Sequence, residues 1–228
     1  AGFCMVPNPF NRKQVSRVSL KVEDVDVIVF WTRNPLPLFP FLEELDQLNF
    51  KYYFQFTVLD NPRVLDPKAP SLKSSIHTFK ELASRVGSKR VIWRYDPIVL
   101  SEQTKQHYHR EMFLKIADEL QGATERCVIS IVDPYPKTRR RLASCSEKGL
   151  SLYDKEKLFG VIEELTPFLV QIASERSMEL VSCSEDIDLR PFGVLPGKCI
   201  DDEYIKKVFW ISVADKKDPS QRKECGCV

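Results

Sequence analysis

Four cysteines crowd the last quarter of the chain: Cys183, Cys199, Cys225 and Cys227. Fifteen residues separate the first two, twenty-five the next two, and a single glycine the pair in "RKECGCV". Thiolates are the ligands of tetrahedral zinc and of iron–sulfur clusters, and four of them can close either site. Cys199 stands in "LPGKCIDD", where Pro and Gly make a turn just ahead of a helix, a place well suited to a ligand. Spacing alone leaves a bland alternative open, in which Cys183 is a core thiol and the tail pair is unstructured. No CxxC pair is present, and CxC is a weak signal. Cys4, Cys127 and Cys145 are scattered among apolar or helical residues and read as reduced thiols.

A second group of polar residues stands where apolar runs end. "VDVIVFWT" leads into Arg33 and Asn34, and "YYFQFT" carries Gln55 and Thr57 on one face. "RVIWRYDPI" carries Arg94 and Asp96 on one face and Trp93 and Tyr95 on the other. "RCVISIVDP" holds Ser130 and ends in Asp133, and "ELVSCSE" holds Cys183 and Glu185. Charges inside apolar strands are costly unless paired, so Arg94 and Asp96 read either as a structural ion pair or as ligand-binding groups. In the second reading Arg33 and Arg94 meet carboxylate or phosphate, while Asp96 and Asp133 take hydroxyls or amines. His77, His107 and His109 fall on expected helices and read as surface residues, so no histidine-based triad is visible. The basic run "PKTRRRL" is weak evidence for a phosphate patch.

The elements that would position these groups alternate. Strand-like runs at Val25, Tyr52, Arg90, Arg126 and Glu179, with a possible first strand at Phe3 to Val6, give six strands. Helical periodicity fills the intervals: around Phe41 to Leu48, Ser71 to Gly87, Thr104 to Gly122, and from Tyr153 through Pro167, where a break or kink is expected. A short helix follows Asp201. Strand–helix alternation with continuous apolar strands predicts an α/β fold with a parallel sheet. The 8 glycines form no phosphate-binding fingerprint, so a TIM-like (β/α) barrel, complete or partial, is expected over residues 1–211. Residues 212–228 then form a cysteine-containing tail that packs back on the barrel through a metal site.

Composition narrows the partners. Net charge is +2, from 34 basic and 32 acidic side chains, which gives no whole-chain reason for nucleic-acid binding. No apolar run is long enough for a membrane span, and no signal peptide is visible, so the cytoplasm is the expected compartment.

"NPFNRKQVSRVSL", "VDVIVFWTRNP", "YYFQFT", "RVIWRYDPI", "CVISIVDPYPKTRRRL", "CSEDIDL", "GKCIDDEYI" and "QRKECGCV" resemble, in that order and nearly end to end, the bacterial family labelled domain of unknown function 1848. Members are often described as related to radical S-adenosylmethionine proteins or to the spore-photoproduct-lyase-like repair group. The resemblance implies an iron–sulfur enzyme using S-adenosylmethionine in the intact protein, supplied by an electron donor. Its substrate would be a small molecule or nucleotide-like, with nucleic acid a further candidate. Cys183, Cys199, Cys225 and Cys227 coincide with cysteines of the family pattern, which implies one auxiliary or structural metal site. Members usually begin earlier, with a segment like "SRRTDIPAF", and continue into a C-x3-C-x2-C motif that holds a [4Fe–4S] cluster. Neither stretch occurs in these residues, and the expectation is that both ends have been omitted. The rival reading is a non-redox barrel that binds a ligand or nucleic acid around a structural Cys4 zinc.

Overall fold

The computed structural model describes residues 2–8, 11–132, 136–147, 149–183, 187–214 and 226–227. The chain opens with a two-stranded antiparallel hairpin, β1 (Phe3–Pro7) and β2 (Val15–Ser19). The expected first sheet strand at Phe3 to Val6 is this hairpin arm and does not join the main sheet. Its apolar residues explain the difference: Phe3, Met5, Val6, Val15 and Val18 all remain exposed, so the segment lacks the two-sided burial of a central parallel strand.

Six parallel strands follow: β3 (Ile28–Thr32), β4 (Tyr52–Thr57), β5 (Val91–Ile98), β6 (Arg126–Ile131), β7 (Glu179–Cys183) and β8 (Leu195–Gly197). Each lies beside its sequence neighbours, in the order β3-β4-β5-β6-β7-β8. The fold is thus a mixed α/β arrangement around a parallel sheet, as the alternation predicted. Among the described residues no sheet closes, and β3 and β8 stand at its two edges. The six sheet strands among the described residues, the last of only three residues, fall short of the eight that close a barrel with a packed interior. β8 lies in a stretch read from sequence as a turn, and its brevity hides it.

The helices are α1 (Leu42–Gln47), α2 (Leu72–Val86), α3 (Gln106–Leu120), α4 (Pro136–Glu147), α5 (Lys155–Glu175) and α6 (Asp202–Phe209). Ser71 caps α2 by accepting from the Ser74 N–H, and Asp154 caps α5 by accepting from the Lys157 N–H. α5 continues through Pro167 without the expected break, and its Leu165, Leu169 and Ile172 belong to the main core. That packing offsets the lost backbone hydrogen bond. Among the described residues no helix is long and apolar enough to cross a membrane.

Alternation along the strands divides the sheet into two faces. One presents Phe54, Phe56, Trp93, Tyr95, Cys127, Ile129 and Leu180 to α2, α3 and α5. Phe79 and Phe113 of those helices are fully buried, each worth about 1.5–3 kcal/mol. The opposite face presents Tyr53, Ile92, Val128, Val181 and Cys183 to Tyr204 and Ile205 of α6. Arg126 fastens the start of α6: it donates to Asp201 at 2.6 Å and Glu179 at 2.7 Å, and lies over the Tyr204 ring. The α6 face also carries the polar residues.

Candidate functional site

Gln55, Arg94, Asp96, Ser130 and Cys183 occupy neighbouring positions on the face covered by α6. Arg94 Nε donates to Asp96 Oδ2 at 2.6 Å, Arg94 Nη2 bonds the same oxygen, and Ser130 Oγ donates to Asp96 Oδ1. The ion pair considered from sequence is therefore formed. It is also joined to a cysteine: Arg94 Nη1 donates to Cys199 Sγ at 2.9 Å and to Gln55 Oε1 at 3.4 Å. Burial alone would lower the Arg94 pKa. Asp96 and the sulfurs of Cys199 and Cys183 outweigh it, and the guanidinium stays charged.

Cys199 follows β8, which pairs with β7, with Gly197 opposite Cys183. A Cβ on Gly197 would stand 2.6 Å from Val181 Cγ2 and 2.9 Å from the Ser182 carbonyl oxygen, so only glycine fits there. The chain then turns through Lys198 into Cys199, whose carbonyl accepts from Tyr53 Oη at 2.7 Å and from Gln55 Nε2 at 2.9 Å. Its sulfur lies 2.9 Å from Cys183 Sγ. Cys227, buried although near the end of the chain, receives the backbone N–H groups of Cys199 at 3.1 Å and Ile200 at 3.3 Å on its sulfur. Contact with the Cys199 thiol holds the Cys183 pKa down to about 6, against burial and with help from the Arg94 charge. Cys199 is pushed the other way by its contacts with Cys183 and Cys227 and by burial, and it keeps its proton.

Cys199 thus touches two of the other cysteines singled out in sequence, Cys183 through its sulfur and Cys227 through its backbone N–H. Cys225, Asp133 and Glu185 lie outside the described residues, as do the Arg139, Arg140 and Arg141 side chains of the basic run that opens α4. Among the described residues no group of three His, Cys, Asp or Glu side chains could hold a metal ion. What the structure does show around Cys199 is a second sulfur, N–H groups directed at a third, and one adjacent cation.

The other candidates fall elsewhere. Thr57 lies beyond Gln55 on the same face, half-buried and in register with Arg94. Arg33 pairs with Asp66 and lines a cavity of about 250 Å³ with Pro97, Val99, Val132 and Cys145, at the carboxyl ends of the strands. Asn34 is exposed and builds a turn, its N–H donating to Thr32 Oγ1 and its side chain accepting from the Leu36 N–H.

Tyr53 and Gly197 were missed in the sequence. A tyrosine inside "YYFQFT" reads as core, and a glycine after proline reads as a plain turn. His109 is a correction: it is buried, with Nδ1 2.9 Å from Tyr95 Oη and Nε2 3.1 Å from the Val99 carbonyl oxygen. It shares the inward side of α3 with Phe113, Ile116 and Leu120, a periodicity that could have revealed it. His77 and His107 are exposed, as expected.

A search among curated proteins finds no match to this chain. The family model described as Domain of unknown function (DUF1848) matches residues 1–228, and the chain belongs to that family.

Proposed function

We propose that this protein is a cysteine-ligated metalloprotein built on an open (β/α) barrel, with a metal centre held by Cys183, Cys199 and Cys227 and, from its place in the sequence, Cys225. The observation that carries this reading is the contact of Cys199 with Cys183, with Cys227 and with the buried Arg94, all distant in sequence. Thiols have no packing reason to gather around a guanidinium, whereas metal thiolates carry negative charge that a neighbouring cation offsets. Arg94 supplies that charge and is itself oriented by Asp96, Ser130 and Gln55. Tyr53 and Gln55 fix the Cys199 carbonyl, and with it the direction of the Cys199 side chain.

The Arg33 cavity supports a polar or phosphate-bearing ligand at the carboxyl ends of the strands, where α/β folds of this kind carry their sites. The enzyme reading is a cytoplasmic protein of radical S-adenosylmethionine type acting on a small or nucleotide-like substrate, with the cysteine centre in an auxiliary or structural role. That reading comes from the family resemblance. The C-x3-C-x2-C motif it needs is not among these residues.

Metal and acid-labile sulfide contents of the anaerobically purified full-length protein test the proposal. Bound iron or zinc that falls in Cys199→Ser supports it, and wild-type protein with neither metal sinks it. Zinc without sulfide and without a visible charge-transfer band favours the non-redox reading, in which the same site is structural.

A further inference from the structure

We infer that the cavity beside Arg33 and Asp66 takes a free aliphatic α-amino acid, bound as its zwitterion, and not a phosphate ester. This rests on the reading above that the Arg33 cavity holds a ligand, and it names the class of that ligand.

The cavity lies at the carboxyl ends of four consecutive strands. Arg33 follows β3, Asn61 and Asp66 stand in the connection after β4, Val99 follows β5, and Val132 follows β6. Leu142 of α4 adds to the lining. Ligands of open parallel sheets bind in the crevice outside such strand ends. A cavity of about 150 Å³ accommodates benzene, so one of about 250 Å³ suits a molecule of about ten non-hydrogen atoms. That is below the range of about 300–1,000 Å³ usual for drug-sized ligands.

The charges select the class. Among the described residues that line the cavity, Arg33 is the only cation and Asp66 the only anion. They touch through one nitrogen and one oxygen, Nη1 and Oδ2, whereas the strongest arginine–carboxylate pairs are bidentate. Among the described residues, Arg33 Nε and Nη2, Asp66 Oδ1 and the Asn61 side chain have no hydrogen-bond partner. The pair thus offers donors and an acceptor oxygen side by side, at zero net charge. A phosphate or simple carboxylate on Arg33 would stand next to the Asp66 carboxylate, and an amine on Asp66 would face the Arg33 guanidinium. An α-amino acid carries carboxylate and ammonium on one carbon, so both of its charges meet opposite partners at once. Val99, Val132 and Leu142 give the rest of the molecule an apolar wall, with Val99 and Leu142 buried. A few polar groups on a mostly apolar lining suit an aliphatic side chain.

Isothermal titration calorimetry on the full-length protein tests this with L-leucine, glycine, isocaproate (leucine without its ammonium), isoamylamine (leucine without its carboxylate) and inorganic phosphate. L-Leucine should bind saturably, and each of the others should bind weaker by about tenfold or more. Asp66→Asn should weaken leucine by a similar factor while tightening isocaproate, because the repelling carboxylate is gone. Arg33→Gln should weaken both. If Asp66→Asn weakens leucine and isocaproate alike, the ion pair is merely structural and the inference falls. Glycine, isocaproate or isoamylamine binding as tightly as leucine overturns the inference and leaves the ligand reading of the cavity intact. Phosphate binding that exceeds leucine binding and is lost in Arg33→Gln does the same. Absence of saturable binding by every probe overturns the inference together with that reading. Should the variants fail to fold, the comparison of leucine with its two singly charged analogues on wild-type protein decides by itself.

Discussion

Arg94 Nη1 donates to the sulfur of Cys199 at 2.9 Å, across 105 residues of chain, and so binds the middle of the sheet to its last strand connection. The same guanidinium holds Asp96 through two of its nitrogens. An arginine this buried cannot be solvated, so the carboxylate and the sulfur are its solvent.

Removing one member of the buried Arg94–Asp96 pair should therefore cost more than removing both. Arg94→Ala leaves Asp96, among the described residues, with Ser130 and is expected to destabilise the fold by about 3–5 kcal/mol. Adding Asp96→Asn should recover part of that loss, because the orphaned charge disappears. Urea denaturation of the two single variants and the double variant measures the coupling, and strict additivity would refute it.

His109 sets a pH dependence. Burial holds its pKa down at about 4, against the hydrogen bond to the Val99 carbonyl, whereas in the unfolded chain it titrates near its ordinary value of 6.5. As pH falls, the unfolded state takes up the proton first, so stability is full above about 6.5 and declines toward pH 4. The decline due to this residue should reach about 3 kcal/mol. His109→Gln can keep a hydrogen bond to Tyr95 or Val99 without titrating. The difference in unfolding free energy between wild type and His109→Gln, measured at pH 7 and pH 4, should move by that amount in favour of the variant on acidification.

Tyr53→Phe removes one of the two donors on the Cys199 carbonyl while keeping the buried ring. The expected stability cost is about 1 kcal/mol. The more telling readout is metal retention: extraction by a chelator should be faster in the variant, since Cys199 is less firmly aimed. An unchanged extraction rate would separate Tyr53 from the site.

What could be read from the sequence follows from which forces act locally. Continuous apolar strands and 3.6-residue periodicity announced β3 to β7 and the long helices, because two-sided burial leaves its mark on every residue. The pairing of Arg94 with Asp96 was visible because a two-residue spacing fixes the face. The joining of that pair to Cys199 was not, since it depends on where a three-residue strand docks. β8 has too few side chains to show a pattern, and its position is dictated by the missing side chain of Gly197. His109 was misread because a polar residue on a mostly polar helix was judged by type and not by phase. The open edges of the sheet were invisible as well, because closure depends on strand number and stagger, which no single segment encodes.

Gly197 offers the sharpest separation of site geometry from general stability. An alanine there would bring its Cβ within 2.6 Å of Val181 Cγ2, 2.8 Å of Val181 Cβ and 2.9 Å of the Ser182 carbonyl oxygen. Strand backbone is among these neighbours, so β8 must move away from β7, taking Cys199 away from Cys183. Gly197→Ala should cost about 1–3 kcal/mol and, beyond that, lower the metal content of protein that remains folded. Gly160 provides the contrast: it lies within α5, is exposed, and has open space where a Cβ would stand. Gly160→Ala should stabilise the protein by about 0.5–1 kcal/mol by raising helix propensity, with metal content unchanged. Metal analysis and urea denaturation on the two variants side by side make the comparison. Equal metal content in folded Gly197→Ala and Gly160→Ala would mean that the close docking of β8 does not position the cysteine site.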